Sequence, residues 1–219
     1  MTWLMTVLLL LSTPPAQSGD APEGVLAAAE GYLGMLRSSC ADDPSSCTQK
    51  FQLAKVDDLA RARIGRPWKA FVLTFNDFRN TPFQDLLKVA RFNYFACPIV
   101  IDGRFKGIVR VCADPEEPDK WVSCGSRGPT RNAEISAYNL TLAPESDSLE
   151  VAFVLTVENN SRYIVVQQRG EYYAIVGSDV AAEMIQVNVR HVSRMTMFPL
   201  AEVLYKVDRS IKQRDKFKQ

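Results

Sequence analysis

The segment from Tyr94 to Cys112 contains two apolar, β-branched runs that meet at Asp102-Gly103. An Asp-Gly pair between two such runs is the strongest short-range signal for a tight β-hairpin. Gly103 can take a positive φ at no steric cost, and Asp102 tolerates one better than most residues. The sequence therefore predicts a long hairpin, around which the rest of the chain is organised.

Elements of both kinds flank this hairpin. Further strands are predicted at Pro67–Phe75, Leu149–Val157 and Tyr163–Gln168, each rich in β-branched and aromatic residues. Apolar residues recur at helical spacing in Pro22–Arg37 and Phe198–Ile211. The expected fold is α+β, with antiparallel strands from hairpins in one or two sheets, and with helices on one face and at both chain ends.

One short sequence occurs twice. The five residues Ala70–Thr74 recur letter for letter as Ala152–Thr156, and a predicted hairpin follows each copy. A weak internal duplication would relate two half-domains, with a boundary near 140–148, by a pseudo-two-fold axis. The alternative is that ordinary strand composition produces the match.

The composition is that of a globular protein. Of the 219 residues, 47% are hydrophobic and 23% are charged, which indicates neither disorder nor a fibrous repeat. A chain of this length can bury a substantial core, so a single domain over residues 19–219 is expected. The formal net charge of +1 predicts no general attraction to nucleic acid.

The first 18 residues have the features of a signal peptide. An apolar run from Trp3 to Leu11 is too short to cross a bilayer, which takes roughly 20 residues. Small residues follow at Ala16 and Ser18, so cleavage is expected after Ser18, with no stable membrane insertion afterwards. No Lys or Arg precedes the run, and an uncleaved anchoring helix is the alternative. The protein is predicted to be secreted or periplasmic.

Export favours disulfides as the role of the cysteines. Cys40 and Cys47 bracket a segment that reads as a turn-rich loop, and Cys112 and Cys124 flank an acidic, proline-containing loop. We expect both pairs to be disulfide-bonded. Cys97 is left over inside an apolar strand and is expected to be a buried free thiol.

Few residues could carry acid–base chemistry near neutral pH. His191 is the only histidine, and it alternates with apolar neighbours as an outward-facing strand residue does. A nucleophilic pair of Cys97 with His191 is the one thiol-dependent site that the sequence allows. Cys97 lacks the glycine-rich or helix-N-terminal setting that lowers a thiol pKa, so this pair is the secondary hypothesis.

We interpret the acidic and glycine-rich clusters as ordinary surface structure. The pairs Asp42-Asp43 and Asp57-Asp58 and the acidic loop 114–119 match no EF-hand pattern, although the loop could bind calcium weakly. The segment Gly125–Gly128 could offer backbone amides to an anion, but turn chemistry explains it equally well. We assign no catalytic, metal or cofactor-binding residue.

Two functions from different classes follow. The first is an exported, non-catalytic binding or interaction module for an unknown protein or small-molecule partner. The second is a thiol-dependent enzyme using Cys97 with His191. Self-assembly through exposed strand edges is a third possibility, and no motif identifies the ligand, the oligomeric state or a named family.

Overall fold

The computed structural model describes residues 21–128, 135, 149–157, 161–168, 170–175, 190–192 and 195–216. The predicted signal peptide, residues 1–18, and the proposed half-domain boundary, near 140–148, both lie outside these ranges. In the described part of the chain, no helix has the length and apolarity needed to cross a membrane.

Helices occur at both ends of the described chain, and strands fill most of the space between them. The helices are α1 (Glu23–Asp42), α2 (Pro44–Phe51), α3 (Phe75–Asn80), α4 (Leu86–Val89) and α5 (Leu200–Lys216), with 3₁₀ turns at Val56–Arg61 and Phe83–Asp85. The strands are β1 (Arg63–Ile64), β2 (Trp68–Leu73), β3 (Arg91–Ile101), β4 (Arg104–Ala113), β5 (Trp121–Arg127), β6 (Leu149–Val157), β7 (Ser161–Gln168), β8 (Glu171–Ile175), β9 (Arg190–Val192) and β10 (Met195–Pro199).

All the described strands belong to one mixed sheet. Its order is β5-β4-β3-β2-β6-β7-β8-β10-β9, and β1 pairs with the carboxyl-terminal part of β3. Neighbouring strands are antiparallel except for β2 and β6, which run parallel at the centre. The α+β expectation is confirmed, and the parallel central pair joins two antiparallel halves that local hairpin signals could not connect.

The predicted hairpin at Asp102-Gly103 is confirmed. β3 and β4 pair from Phe95↔Val111 to Ile101↔Arg104, and Asp102 and Gly103 have φ values of 50° and 73°. Positive φ at both turn residues is the geometry of a type I′ turn, whose twist matches that of the flanking strands.

Both terminal helices pack on the same face of the sheet. Phe71 of β2 packs in the cluster under α5, and its register partner Leu155 of β6 belongs to the same cluster. Phe95 of β3 pairs with Lys69, two residues before Phe71, so it lies on that same face. Phe95 packs in the second cluster, under α1, which also contains Val25.

The C-terminal helix is part of the core, as its apolar spacing predicts. Leu200, Val203, Leu204 and Ile211 are at most 3% exposed and pack against residues of β2, β6, β7 and β8. The other face of the sheet is also apolar. Its buried residues include Trp68, Ala70, Tyr94, Phe105, Val154, Ile164 and Tyr173, and Ile135 packs against part of this set.

The two copies of the repeated pentapeptide lie side by side in the parallel pair, without two-fold symmetry. Their phenylalanines, Phe71 and Phe153, are on the same face, with ring centroids 5.7 Å apart. A two-fold axis parallel to the strands would place the two phenylalanines on opposite faces of the sheet. A two-fold axis perpendicular to the sheet would make β2 and β6 antiparallel. β3 and β7 flank this pair on opposite sides, and an internal duplication beyond the pentapeptide stays a prediction.

The amino-terminal helix is longer than its sequence predicts. The apolar spacing predicts a helix over Pro22–Arg37, but α1 continues to Asp42 because Leu33, Leu36 and Cys40 share its buried face. The segment after it is also helical, since Asp43 caps α2 by accepting a hydrogen bond from the Ser46 amide at 3.2 Å.

Both predicted disulfides are present. Cys40 and Cys47 are bonded with a Cα–Cα distance of 5.5 Å, and Cys112 and Cys124 with a distance of 5.9 Å. The first links α1 to α2, and the second links β4 to the edge strand β5. Cys97 is a buried free thiol, as expected.

Candidate functional site

A cleft of about 360 Å³ opens over the amino-terminal ends of the two parallel strands β2 and β6. Four separate segments of the chain contribute to its walls, and most of the lining is apolar. The lining residues are Ala21, Leu26, Ile64, Gly65, Arg66, Pro67, Lys69, Phe95, Val151 and Ala152. It lies on the face that carries the terminal helices.

The segment between β1 and β2 forms one side of the cleft and is fixed by backbone pairing. Ile64 pairs with Ile99 of β3, and the Gly65 amide donates to the Pro98 carbonyl at 2.8 Å. Arg66 and Pro67 follow directly and carry the chain into β2. The position of Arg66 at the cleft is therefore set by pairing with the hairpin strand.

A β-bulge shapes the opposite side. In the β6–β7 ladder, Val151 pairs with Val166 and Phe153 pairs with Val165, so Ala152 is an extra residue on β6. A bulge of this kind bends its strand and re-aims the side chains beside it. Val151 and Ala152 both line the cleft, and Val151 also packs against the apolar residues of the other face.

The charge in the cleft lining is positive. Lys69 is half-buried, Arg66 is exposed, and no acidic residue is among the lining residues that the structure describes. Neither cation forms a hydrogen bond or an ion pair with the part of the chain that the structure describes. Two cations with no partner among the described residues, beside an apolar wall, suit an anionic group with a hydrophobic body.

The wall that faces Lys69 is aromatic. Phe95 is only 4% exposed, and its ring is 5.0 Å from that of Phe92 and 5.1 Å from that of Trp121. Because Phe95 pairs directly with Lys69, the ammonium group and the ring belong to neighbouring positions of the sheet.

Cys97 has the setting of a structural thiol. It is fully buried among apolar residues under α1, and burial raises its pKa to about 12. Its Sγ is 4.0 Å from the Phe95 carbonyl, a weak contact within its own strand. At neutral pH it is protonated and shielded, so it is not an activated nucleophile.

The structure does not bring Cys97 and His191 together. Cys97 is on β3 and His191 is on β9, and five strands lie between these two in the sheet order. Measured across the sheet, the two strands are six inter-strand spacings of about 4.8 Å apart, roughly 29 Å. The pair that the secondary hypothesis requires is therefore not formed.

The acidic clusters stabilise local structure. Asp58 accepts from the Lys55 amide at 3.2 Å and from Arg61 at 3.1 Å. In the loop 114–119, the Asp114 carboxylate accepts from the Glu116 amide at 2.9 Å. No group of three or more His, Cys, Asp or Glu side chains within the described ranges could hold a metal ion.

The segment Gly125–Gly128 belongs mostly to a strand. β5 runs through Arg127, and the Ser126 hydroxyl contacts the Tyr32 hydroxyl at 3.1 Å and accepts from Lys50 Nζ at 3.2 Å. These contacts connect β5 to α1 and α2. Ser126 and Arg127 pair with β4, and the residues that follow Gly128, where an anion-binding helix start would lie, are outside the described ranges.

Sequence reasoning missed Arg66, Lys69 and Phe95 as candidate binding residues. One signal was available, since Lys69 interrupts an otherwise apolar strand run. A charged residue inside a central strand needs either a partner or a cavity. The other side of the cleft, which Val151 and Ala152 line, comes from the second half of the chain, and no local pattern could associate it with Lys69.

Comparisons with known proteins identify no relative. No protein-family model matches the chain, and neither a curated protein nor a solved structure matches it.

Proposed function

We propose that this protein is an exported, non-catalytic binding module and that its cleft takes a small anion with an apolar body. The observation that carries the proposal is Lys69, a half-buried cation in an apolar cleft whose described lining residues include no acidic side chain. Partial burial raises the free-energy cost of a charge that has no partner, and it strengthens the attraction of that charge for an opposite one.

The dimensions of the cleft support a small ligand. Its volume of about 360 Å³ is at the lower end of the range of roughly 300–1,000 Å³ that is usual for small-molecule sites. The lining follows the common pattern of such sites, in which apolar side chains provide most of the contact and a few polar groups orient the ligand.

The hypothesis that the protein is non-catalytic rests on the environment of Cys97, the candidate nucleophile. Cys97 is buried with a pKa raised to about 12, and its only histidine partner in the sequence is on a distant strand. Both observations weigh against a thiol-dependent enzyme and favour the binding module.

Two features support export to an oxidising compartment. The first is the apolar run of residues 3–11, followed by small residues around the expected cleavage position after Ser18. The second is the pair of disulfides, since such bonds form and persist mainly outside the reducing cytosol.

Calorimetric titration with sodium hexanoate and with sodium 4-phenylbutanoate tests the proposal. Both carboxylates are expected to bind, whereas 1-hexanol and hexylammonium are expected to bind far more weakly. The Lys69→Met variant keeps most of the aliphatic stem and removes the charge. Its affinity for the carboxylates should fall about tenfold or more, because hydrogen bonds to charged groups contribute roughly 1.5–3 kcal/mol.

Lys88→Met is the matched control. Lys88 is exposed, forms an ion pair with Asp85 at 2.8 Å, and does not line the cleft. Its replacement should leave carboxylate binding unchanged. Absence of binding by both carboxylates, or equal binding by wild type and Lys69→Met, would overturn the proposal.

A further inference from the structure

The aromatic wall of the cleft continues beyond the cleft itself. Phe95 lines the cleft, and its ring is 5.0 Å from that of Phe92, which does not line it. Phe92 is 41% exposed, whereas Phe95 is 4% exposed. The exposed ring therefore lies directly beside a ring that lines the cleft, in contrast to an isolated surface phenylalanine.

A second β-bulge places Phe92 on this face. In a regular strand, residues three apart point to opposite sides, so Phe92 and Phe95 would be separated by the sheet. The β2–β3 register shifts between Ala70↔Tyr94 and Phe71↔Phe92, which makes Asn93 an extra residue. The bulge restores Phe92 to the side of Phe95, and its ring also contacts that of Phe71 at 6.1 Å.

The register gives the spacing between the backbone positions of Lys69 and Phe92 along the strand direction. Lys69 pairs with Phe95, and Phe71 pairs with Phe92. Two residues along β2 correspond to about 7 Å. A chain that starts at an anion bound by Lys69 would therefore have to advance about 7 Å along the strand direction to reach the position of Phe92.

We propose that the ligand is an elongated carboxylate whose head is held by Lys69 and Arg66 and whose apolar tail ends on Phe92. This assignment of the ligand class rests on the proposed function of the cleft. An extended alkyl chain advances roughly 1.25 Å per carbon, so about six carbons span the 7 Å between the two points. Shorter carboxylates occupy the cleft without reaching the exposed ring.

A series of straight-chain carboxylates from butanoate to decanoate tests this assignment by calorimetry. Affinity is expected to rise about fourfold for each added methylene, the ratio that corresponds to roughly 0.8 kcal/mol per buried methylene. The rise should stop once the chain extends past Phe92, near octanoate. An affinity independent of chain length would overturn the assignment.

Variants at Phe92 identify the end of the site. Phe92→Ala should leave butanoate affinity unchanged and weaken octanoate about tenfold, which flattens the series. Phe92→Trp keeps an aromatic ring at this position and should retain the dependence of affinity on chain length. It provides the test if Phe92→Ala folds poorly. Tyr205→Ala is the matched control, because Tyr205 is 50% exposed, contacts Phe83 edge to face, and lies outside the cleft.

Tryptophan fluorescence gives a second measurement. The Trp121 ring is 6.3 Å from that of Phe92 and 5.1 Å from that of Phe95, whereas Trp68 stacks on Phe105 on the other face of the sheet. Octanoate should shift the emission of wild type, and Trp121→Phe should abolish the shift. A shift that persists in Trp121→Phe would place the tail elsewhere.

The two proposals fail in different ways. If no carboxylate of any length binds, the proposed function of the cleft fails, and the ligand class fails with it. If carboxylates bind through Lys69 but neither chain length nor Phe92 matters, the function of the cleft stands and the elongated ligand is excluded.

Discussion

Arg61 holds the carboxylate of Asp102 through two guanidinium nitrogens, with Nε 3.1 Å from Oδ1 and Nη2 2.9 Å from Oδ2. This pair joins the 3₁₀ turn before β1 to the tip of the central hairpin. Arg61 Nη2 also donates to Asp58 at 3.1 Å, so one side chain connects two carboxylates. The β1 segment that lines the cleft follows directly and is fixed to the same hairpin.

Asp102→Asn is expected to lower stability at neutral pH and to have no effect in strong acid. The Arg61 hydrogen bond, and then the charges of Arg61, Arg104 and Arg63, lower the pKa of Asp102 below its ordinary value. Because the folded pKa is below the unfolded value of about 3.9, the contribution of the pair is complete above that value. It is lost as the pH falls through the folded pKa.

Urea unfolding of wild type and Asp102→Asn at pH 7 and near pH 2 measures this difference. Asparagine tolerates the positive φ of the turn, so the variant tests the charge and not the backbone. Salt at about 1 M should reduce the effect, because both side chains are exposed. Asp57→Asn, on the same 3₁₀ turn, is the control. An unchanged midpoint for Asp102→Asn at pH 7 would contradict the expectation.

The sequence predicts the parts of this fold that local chemistry controls. Asp102-Gly103 fixes the hairpin because few residue pairs accept two positive φ values in succession. Cys40 and Cys47 are close along the chain, so their pairing needed only a compact connection. The spacing of Leu200, Val203 and Leu204 identified the buried face of α5. Each of these patterns lies within one short segment of the chain, so each can be recognised without knowledge of the rest of the fold.

The cleft could not be predicted in this way. Lys69 and Val151 come from opposite halves of the chain, and only the parallel pairing of β2 with β6 brings them together. A parallel pair has no connecting turn, so no turn residue marks it in the sequence. The bulges at Asn93 and Ala152 were equally invisible, because each depends on the register of a neighbouring strand.

Gly128→Ala is expected to destabilise the protein strongly. A Cβ on Gly128 would be 1.5 Å from the carbonyl oxygen of Lys50, and the backbone of α2 would have to move. Overpacking against backbone should cost about 3 kcal/mol or more. Thermal unfolding and urea titration measure the loss.

Gly34→Ala is the matched control for this substitution. Gly34 is within α1, and apart from its chain neighbours and the backbone of the adjacent turns, no described atom lies within 4 Å of the position its Cβ would take. Alanine is favoured over glycine in a helix interior by about 0.8–1 kcal/mol, so this variant should be stabilised. A Gly128→Ala protein as stable as wild type would show that α2 does not approach β5 closely.

Cys97 should resist alkylation in the folded protein. It is fully buried, and its pKa is raised to about 12, so the reactive thiolate is scarce at pH 8. Iodoacetamide should modify one cysteine only after denaturation without reductant, since the other four form disulfides. Mass spectrometry before and after denaturation measures this, and rapid modification of native protein would revive the thiol-dependent alternative.

Two substitutions separate burial from reactivity at this position. Cys97→Ser places a hydroxyl in an apolar cluster and should cost about 1–3 kcal/mol of unfolding free energy. Cys97→Ala leaves only a small cavity and should cost less. Carboxylate binding by Cys97→Ala should match wild type, because Cys97 does not line the cleft.

Leu204→Asp tests whether the C-terminal helix serves the core or a membrane surface. Leu204 is fully buried, and its loss alone should cost about 2–5 kcal/mol. An unpaired buried carboxylate adds several kcal/mol, and the sum approaches the 5–15 kcal/mol of a typical domain. We expect the variant to unfold, as judged by circular dichroism and urea titration.

The neighbouring residue provides the control for this test. Tyr205 is 50% exposed, so Tyr205→Asp changes the same helix by the same charge without burying it, and the protein should remain folded. A basic amphipathic helix can instead lie on anionic lipid, but one apolar face cannot be buried in the core and in a bilayer at once. If Leu204→Asp stays folded and loses binding to phosphatidylserine vesicles that wild type binds, the apolar face of α5 belongs to the membrane. If Leu204→Asp unfolds while Tyr205→Asp does not, that face belongs to the core.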